Sequence, residues 1–224
     1  MGQSKLKGGD VMMTCEDRLA ETLPSSAKKA IEVLEHAGKQ AYVVGGFVRD
    51  AILGRPCHDV DIATDALWYH TREHFLEAGY RVIETGSAHG TVTVLIDGDP
   101  IEITTYRTDG TYTDHRRPDS VRFVKNIEED LARRDFTVNA VAWNPTRGLV
   151  DPFGGVSDMA RGLIRCVGKP FGRFDEDALR IMRGVRFSAQ LSFAVDAATA
   201  AAIHATAPSL SSVAVERIAQ EYGK

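Results

Sequence analysis

Residues 45–64 read GGFVRDAILGRPCHDVDIAT, and this stretch decides the fold. A glycine pair follows the apolar run 41–44, a short helical pattern comes next, and Asp59 and Asp61 then stand two apart in a second apolar run. Because alternate residues of a β-strand share one face, we expect the two carboxylates to lie side by side. The stretch therefore predicts a sheet that presents two acidic side chains beside a glycine turn.

The same stretch indicates a class of chemistry. Two carboxylates held this close repel unless a divalent cation lies between them, and their hard oxygen atoms suit Mg²⁺. A glycine turn at a helix start offers free N–H groups to phosphate. A lone glycine pair is usually only a turn and a lone Asp-x-Asp only a strand edge, but their order, with Arg49-Asp50 between them, favours a functional site. The pattern predicts phosphoryl or nucleotidyl transfer.

Composition limits the class of protein. The chain has 224 residues, of which 43% are hydrophobic and 26% charged, a globular balance. An odd cysteine count without metal-type spacing (Cys15, Cys57, Cys166) favours a reducing compartment, and no apolar run has transmembrane length. We therefore predict a cytoplasmic protein without a membrane partner.

The net charge of −4 is unusual for a nucleic-acid binder, but residues 161–187 carry seven basic and three acidic side chains. This strip is either a solvated helix face or an RNA contact.

Periodicity predicts a mixed sheet with helices packed on it, followed by an all-helical region. The predicted strands are 41–44, 59–63, 80–84, 91–96 and 101–106. The predicted helices are 16–38, 66–77 with Asp65 as N-cap, 127–142, 175–191, 196–206 and 211–222. A polar loop is predicted over 107–120, and short strands and turns over 148–168.

The motifs resemble those of a known family. The stretch 45–64 resembles the first motif of the DNA polymerase β-like nucleotidyltransferases. With the later motifs, the chain from Ala41 to its end is similar to the bacterial tRNA nucleotidyltransferase/poly(A) polymerase family, the class II CCA-adding enzymes. The resemblance implies an α+β fold, in which a polymerase β-like palm precedes an all-α neck. The expected division is a disordered leader (1–14), a head (15–168) and a nucleotide-selecting, RNA-binding neck (169–224), without the helical body and tail of family members.

The resemblance also implies the catalytic residues. Asp59 and Asp61 would hold Mg²⁺, and Glu102, in the run IEITTYR, would be the third catalytic carboxylate. Such a carboxylate helps to hold a second metal and to activate the attacking 3′-hydroxyl. The alternative for Glu102 is a solvent-facing strand residue.

Nucleotide contacts are expected from two further motifs. Gly45, Gly46 and Arg49 belong to the first motif, and Arg134 belongs to DLARRDFTVNA (130–140), which matches the family's RRDFTxNA motif. A triphosphate needs fixed cations, and arginine offers a bidentate fork. The resemblance therefore assigns Arg134 to the nucleotide, while its neighbours Arg133 and Asp135 are open to structural ion pairs.

The run RFDEDALRIMRGVRF (173–187) is expected to select the base. Asp177 and Arg180 lie three apart in a helical pattern, which by itself indicates only a salt bridge. Cytosine and adenine both present an amino donor beside a ring-nitrogen acceptor, so one carboxylate and one guanidinium read both bases and reject guanine and uracil. In the family this pair acts as the template. The resemblance implies nucleotide or phosphate contacts for Arg183 and Arg186.

Two further segments favour CCA addition. The loop 109–118 resembles the flexible loop that CCA-adding members need for the final A, although it is also consistent with a mobile connector. The run ERIAQE (216–221) looks like the family's last head-and-neck motif and is expected to brace the neck. The sequence thus predicts transfer of CMP and AMP from CTP and ATP to the tRNA 3′ end.

Three alternatives remain open. The first is a poly(A) polymerase, or an A-only or CC-only member of the same family. The second is a nucleotidyltransferase that acts on a small molecule, and the third is a catalytically inactive RNA-binding module. The sequence does not determine the oligomeric state.

Overall fold

A seven-stranded mixed sheet forms the centre of the chain in a computed structural model that describes residues 13–110 and 120–223. The strands are β1 (Ala41–Val44), β2 (Asp61–Thr64), β3 (Arg81–Gly86), β4 (Thr91–Ile96), β5 (Asp99–Thr105), β6 (Arg107–Asp109), β7 (Val121–Phe123), β8 (Ala142–Asn144), β9 (Gly148–Val150), β10 (Leu163–Ile164) and β11 (Ala194–Val195). The α-helices are α1 (Cys15–Thr22), α2 (Ser25–His36), α3 (Gly46–Ile52), α4 (Trp68–Glu77), α5 (Ile127–Ala132), α6 (Gly155–Arg161), α7 (Pro170–Glu176), α8 (Leu179–Leu191), α9 (Ala197–Thr206) and α10 (Val215–Tyr222).

The strand order across the main sheet is β3-β4-β5-β2-β1-β8-β9. Strands β2 and β5 run parallel, and the other neighbouring pairs are antiparallel. Two small sheets, β6–β7 and β10–β11, lie outside it. The predicted mixed sheet is confirmed.

The two faces of the sheet bury different side chains. Ile62 of β2 and Ile103 of β5 pack into the larger buried cluster, together with the apolar face of α2. Each such fully buried side chain stabilises the fold by about 1.5–3 kcal/mol. Because successive strand residues alternate in direction, Asp61 and Glu102 project from the opposite face. The hydrophobic pattern of β2 and β5 thus decides where these carboxylates stand.

The predicted helix 16–38 is two helices. Pro24, the N-cap of α2, has no N–H to donate, so α1 ends before it. The hydroxyl of Thr14 accepts from the N–H of Asp17 (3.1 Å), and the carboxylate of Asp17 accepts from the N–H of Thr14 (2.9 Å), which caps α1. Residues 1–12 of the predicted leader lie outside the described residues.

Other predicted helices also differ from the structure. The predicted helix 127–142 ends at Ala132, because the carboxylate of Asp135 accepts from the N–H of Phe136 (2.7 Å) and competes with helix formation. Asp65 does not cap α4; its carboxylate accepts from the N–H of Gln40 (2.7 Å). The predicted helix 175–191 is broken into α7 and α8, and the stretch 148–168 contains α6.

The helical C-terminal part packs directly on the sheet-containing part. Phe174, Leu179 and Phe187 belong to the same buried cluster as Phe136, and the Phe136 and Phe187 rings meet edge to face at 5.9 Å. The division between residues 168 and 169 stays a prediction. Residues 111–119, the centre of the predicted polar loop, lie outside the described residues, while its flanks form β6 and β7. Within the described ranges, we find no helix that is long and apolar enough to cross a membrane.

Candidate active site

The carboxylates of the site come from the two parallel strands at the centre of the sheet. Asp61 of β2 lies in register with Glu102 of β5, so their side chains share one face. Asp59 precedes β2 instead of lying within it, so the prediction that a single strand aligns both aspartates is wrong. Asp59 is nevertheless near enough to Asp61 to act on its charge. Asp59 and Glu102 therefore both lie within electrostatic reach of Asp61 at the start of β2.

The charge on Asp61 is disfavoured in the metal-free protein. Desolvation by the surrounding protein, followed by the charges of Glu102 and Asp59, raises the pKa of Asp61 to about 6, and Arg134 opposes this increase. Within residues 13–110 and 120–223, no group of three or more histidine, cysteine, aspartate or glutamate side chains is already arranged to hold a metal ion. Hard oxygen donors that repel one another fit a divalent cation, which would relieve this repulsion.

The glycine turn lies beside these carboxylates. Gly45 has φ +73°, a conformation that favours glycine, and it precedes the first residue of α3. A Cβ atom at Gly45 would lie 3.1 Å from an Nη atom of Arg134, so the missing side chain allows the guanidinium to approach the turn. The turn and Arg134 thus form one continuous surface next to Asp61.

Arg49 is held firmly at the same place. Its guanidinium donates to both carboxylate oxygens of Asp50 (2.9 and 2.8 Å) and to the side-chain oxygen of Asn139 (2.7 Å). The side-chain amide of Asn139 in turn donates to Asp135 (3.1 Å). Arg49 is therefore a fixed, partly neutralised cation of the site.

These groups surround a cavity of about 570 Å³. Most of the residues predicted from the sequence line it, namely Gly45, Gly46, Arg49, Asp61, Arg134, Asp177, Arg180 and Arg183. Asp59, Glu102 and Arg186 do not line it. The structure thus brings the first motif, the 130–140 motif and the 173–187 motif to one cavity.

The Asp177 and Arg180 pair differs from its prediction. Asp177 has extended backbone (φ −141°, ψ 104°) between α7 and α8, and its carboxylate accepts from the N–H of Leu179 (3.0 Å). Arg180 is 7% exposed and donates to Glu176 (2.7 Å) and to backbone carbonyls, including that of Arg173 (3.1 Å). The predicted arrangement as neighbours on one helix is therefore wrong. Both side chains nevertheless reach the cavity.

Burial changes the proton affinity of Asp177. Desolvation raises the pKa of its carboxyl, while the N–H of Leu179 and the charge of Arg217 oppose the increase. A hydrogen-bond donor in the cavity would therefore stabilise the ionised carboxylate.

Asp135 anchors the opposite wall. It is 7% exposed and accepts from Arg183 at two positions (2.7 and 2.5 Å), as well as from Asn139 and the N–H of Phe136. Burial alone would raise the pKa of Asp135, but Arg183 and these donors outweigh it and lower the pKa. The ionised carboxylate fixes Arg183 at the cavity edge.

Arg186 lies next to Phe187 and does not line the cavity. It donates to Glu221 of α10 (2.7 Å) and to Gln190 (2.9 Å). Its guanidinium carbon is 4.3 Å from the centre of the Phe187 ring, which Arg49 and Arg183 also approach at 5.2 and 5.3 Å. The Phe187 ring thus lies among three cations, an arrangement that its negative faces stabilise.

Several cavity residues were not predicted as site residues, and they are Asp109, Arg133, Asp135, Asn139, Leu179, Phe187, Arg217 and Glu221. Two of them, Arg217 and Glu221, belong to the run 216–221, which the sequence indicated as a bracing motif. Glu221 accepts from Arg186, and Arg217 reaches the cavity. The contact of Phe187 with Arg49 joins two motifs that are distant in sequence, which no local pattern reveals.

Comparison with known families supports this arrangement. The Poly A polymerase head domain family matches residues 41–165, and the family described as the probable RNA and SrmB-binding site of polymerase A matches residues 192–224. The first match covers more than half of the chain and contains the glycine turn, the three carboxylates and the 130–140 motif.

Curated relatives are CCA-adding enzymes. The enzyme of Leuconostoc citreum is 50% identical over 206 residues, which are 91% of this chain and 50% of the relative. The enzyme of Streptococcus pyogenes serotype M2 is 48% identical over the same length and with the same coverage. The chain therefore spans about half the length of these relatives.

Solved structures have the same fold. The Bacillus stearothermophilus CCA-adding enzyme in complex with CTP matches with a TM-score of 0.80 at 46% identity, over 88% of this chain and 47% of that one. The Thermotoga maritima CCA-adding enzyme complexed with tRNA matches with a TM-score of 0.74 at 26% identity, over 93% of this chain and 49% of that one. The fold class predicted from the sequence, an α+β nucleotidyltransferase palm followed by helices, is confirmed. By these matches, the chain belongs to the tRNA nucleotidyltransferase/poly(A) polymerase family.

Proposed function

We propose that this chain is the nucleotidyl-transferring part of a CCA-adding enzyme. The reaction transfers CMP from CTP and then AMP from ATP to the 3′-hydroxyl of tRNA and releases pyrophosphate. The observation that carries this proposal is the single cavity in which Asp61, Arg134 beside the Gly45 turn, and the Asp177 and Arg180 side chains all meet. A family member solved with CTP and another solved with tRNA support the choice of substrates.

Asp59 and Asp61 would hold the metal, with Glu102 beside them. Nucleotidyltransferases of this family generally use a divalent metal, and we propose Mg²⁺ because the donors are carboxylate oxygens. The bound ion would stabilise charge on the transferring phosphate and activate the attacking hydroxyl. Glu102 shares its face with Asp61 and adds negative charge where a cation would bind.

Gly45, Gly46 and Arg134 would receive the triphosphate. The absence of a side chain at Gly45 leaves room for the Arg134 guanidinium at the start of α3, where free N–H groups also favour a phosphate. Arg49 contributes a fixed positive charge, since three hydrogen bonds to Asp50 and Asn139 hold its guanidinium in place. We therefore assign the direct phosphate contact to Arg134, and to Arg49 a positive charge that attracts the triphosphate without contacting it.

Asp177 and Arg180 would select the base. The Asp177 carboxylate accepts from the amino group of cytosine or adenine, and the Arg180 guanidinium donates to the adjacent ring nitrogen. Guanine and uracil would place donor against donor and acceptor against acceptor at buried groups, which costs about 1–3 kcal/mol for each unsatisfied group. The ion pair with Glu176 holds Arg180 in place for this reading.

Arg183 and Arg186 have different roles in this scheme. Arg183 lines the cavity and supports the nucleotide from the Asp135 side. Arg186 is bound to Glu221 and acts through the Phe187 ring, so we propose a bracing role for it instead of a nucleotide contact. The cytoplasmic location stays a prediction, consistent with three free cysteines.

Extension of a tRNA that lacks its CCA end tests the proposal. The chain is incubated with Mg²⁺ and all four nucleoside triphosphates, a different one of which is labelled in each reaction, and the products are separated at single-nucleotide resolution. We expect C, C and A additions and no G or U. The Asp61→Asn variant is expected to be inactive, while Asp97→Asn, on an exposed turn, keeps full activity. A long A ladder would identify a poly(A) polymerase, and the absence of pyrophosphate release would refute catalysis.

A further inference from the structure

The α5 residue Asp130 lies beneath the cavity without reaching it. It is 0% exposed, and its carboxylate accepts from the Nε of Arg133 (2.9 Å), an Nη of Arg134 (3.2 Å) and the N–H of Arg107 (3.2 Å). Burial alone would raise the pKa of Asp130, but Arg133 and Arg134 outweigh burial and hold the pKa below its usual range. Asp130 is therefore an ionised group in the protein interior.

Arg134 extends from Asp130 to the catalytic edge of the cavity. One Nη atom is bonded to Asp130, while the other lies 3.1 Å from the position that a Cβ of Gly45 would take. The charge of Arg134 also lowers the pKa of Asp61, so the guanidinium lies within electrostatic reach of that carboxylate. Its buried Nε has no hydrogen-bond partner among the described residues. The bond to Asp130 is thus what fixes the direction of this guanidinium.

The same carboxylate joins two other elements. Arg133 also lines the cavity, and Arg107 is the first residue of β6. A neutral side chain at position 130 would weaken the bonds to both arginines, because hydrogen bonds between charged partners are roughly twice as strong as neutral ones. The backbone bond from Arg107 would remain, since an amide oxygen also accepts.

We propose that Asp130 is a positioning residue that aims Arg134 at the triphosphate of the incoming nucleotide. This inference rests on the proposed function. Asp130 does not line the cavity, so it would act on the nucleotide only through Arg134. Asp130 acts on the phosphate end of the nucleotide, because the side chains of the base-reading pair bond to Glu176, to the N–H of Leu179 and to backbone carbonyls, including that of Arg133, and not to Asp130 itself. Loss of its charge therefore weakens CTP binding and leaves CMP binding unchanged.

Calorimetric titration of the Asp130→Asn variant with CTP and with CMP, both with Mg²⁺, tests this role. We expect CTP to bind about tenfold more weakly than to the wild type, in line with the loss of one charge-assisted hydrogen bond. CMP affinity is expected to stay the same. Asp158→Asn is the matched control, because Asp158 is 1% exposed and paired with Arg165 but lies outside the cavity. Asp158→Asn should leave the affinity for CTP unchanged.

A double-mutant cycle separates positioning from general destabilisation. In the Arg134→Ala background, Asp130→Asn should reduce CTP affinity no further, because the group that it aims is gone. Equal losses of CTP and CMP, additive losses in the cycle, or wild-type affinity of Asp130→Asn for CTP would each overturn the inference. A wild-type chain that does not prefer CTP to CMP would instead show that the proposed function fails.

A conservative variant covers the case in which Asp130→Asn does not fold. Arg134→Lys keeps the positive charge and the ion pair with Asp130, but an ammonium on a flexible chain does not reach Asp130 and the cavity in one fixed geometry. We expect this variant to lose CTP affinity about tenfold with CMP affinity retained. Wild-type CTP affinity in Arg134→Lys would show that the aim of this side chain is unimportant.

Discussion

Replacing Asp61 with asparagine is expected to stabilise the metal-free protein at neutral pH. Desolvation and the charge of Glu102 raise the pKa of Asp61 from 3.8 to about 6 in the folded state. Between pH 3.8 and about pH 6, such a carboxyl group binds more protons in the folded chain than in the unfolded chain. The free energy of unfolding therefore falls as pH rises from about 4 to 6, and it stays lowered at neutral pH.

The size of this effect follows from the pKa and from the exposure of the site. About two pH units between the ordinary and the folded value correspond to at most about 3 kcal/mol. Asp61 is exposed at the cavity, so solvent screening reduces this figure to about 1 kcal/mol. Asparagine has nearly the same shape without the charge. Asp61→Asn should therefore exceed the wild type in stability by about 1 kcal/mol at neutral pH, and by nearly nothing below about pH 3.5.

Urea denaturation followed by circular dichroism measures this difference, first in EDTA and then in Mg²⁺. Magnesium is expected to stabilise the wild type and the exposed control Asp97→Asn, but not Asp61→Asn, because a ligand that binds only the folded state shifts unfolding by mass action. The reasoning is refuted if Asp61→Asn is no more stable than the wild type in EDTA at neutral pH. An equal magnesium effect on Asp61→Asn and the wild type would refute it as well.

Three further perturbations have expected outcomes. Gly45→Ala should weaken CTP binding in calorimetry, because its Cβ would lie 3.1 Å from Arg134. Gly38 has the same φ of +73° with open space around it, so Gly38→Ala should only lower the free energy of unfolding, by about 1 kcal/mol in urea denaturation. Asp135→Ala should lower the free energy of unfolding at neutral pH by about 1–3 kcal/mol, since it removes the acceptor of the half-buried Arg183, of the Asn139 amide and of the Phe136 N–H. Because the pKa of Asp135 is lowered in the folded state, the deficit should shrink as pH falls below the ordinary aspartate value, and a constant deficit would contradict this reasoning. Phe187→Leu should weaken CTP binding in calorimetry through displaced arginines, and unchanged binding would argue against that role for the ring.

The bounds of a strand were predictable where the apolar run in the sequence has the same ends as the strand in the structure. The bounds of β1 and β4 match those predicted from the sequence, because their apolar runs end at glycines or polar residues. Alternation in β5 placed Glu102 opposite the buried Ile101 and Ile103, as the sequence predicted. Hydrophobic periodicity decides which face a residue takes, but the family resemblance alone implied that Glu102 joins the two aspartates.

The arrangement of the base-reading residues was not predictable, because partners distant in sequence decide it. The pattern 173–187 is continuous for a helix, yet the chain turns at Asp177, where its carboxylate bonds to the N–H of Leu179. Arg180 pairs with Glu176, a neighbour one turn earlier that the pattern made equally available. The local sequence contains both pairings, and the pairing with Glu176 is accompanied by hydrogen bonds from Arg180 to the carbonyls of Arg173 and Arg133.

The break in the predicted helix 127–142 has a similar origin. Asp135 bonds to the N–H of the next residue and to Arg183, which is 48 residues away. Helix propensity depends on the local sequence and therefore cannot reveal this contact. The ion pair with Arg183 stabilises the irregular backbone. Functional residues thus appear where long-range polar contacts override the local preference.

A crystal structure with Mn²⁺ and CTP is the decisive test of the proposed site, because the anomalous signal of manganese locates the metal independently of the protein chain. We expect a manganese peak within coordination distance of Asp59 and Asp61, the triphosphate between the Gly45 turn and Arg134, and the cytosine edge facing Asp177 and Arg180. Manganese bound away from these two carboxylates, or cytosine turned away from Asp177 and Arg180, would contradict it.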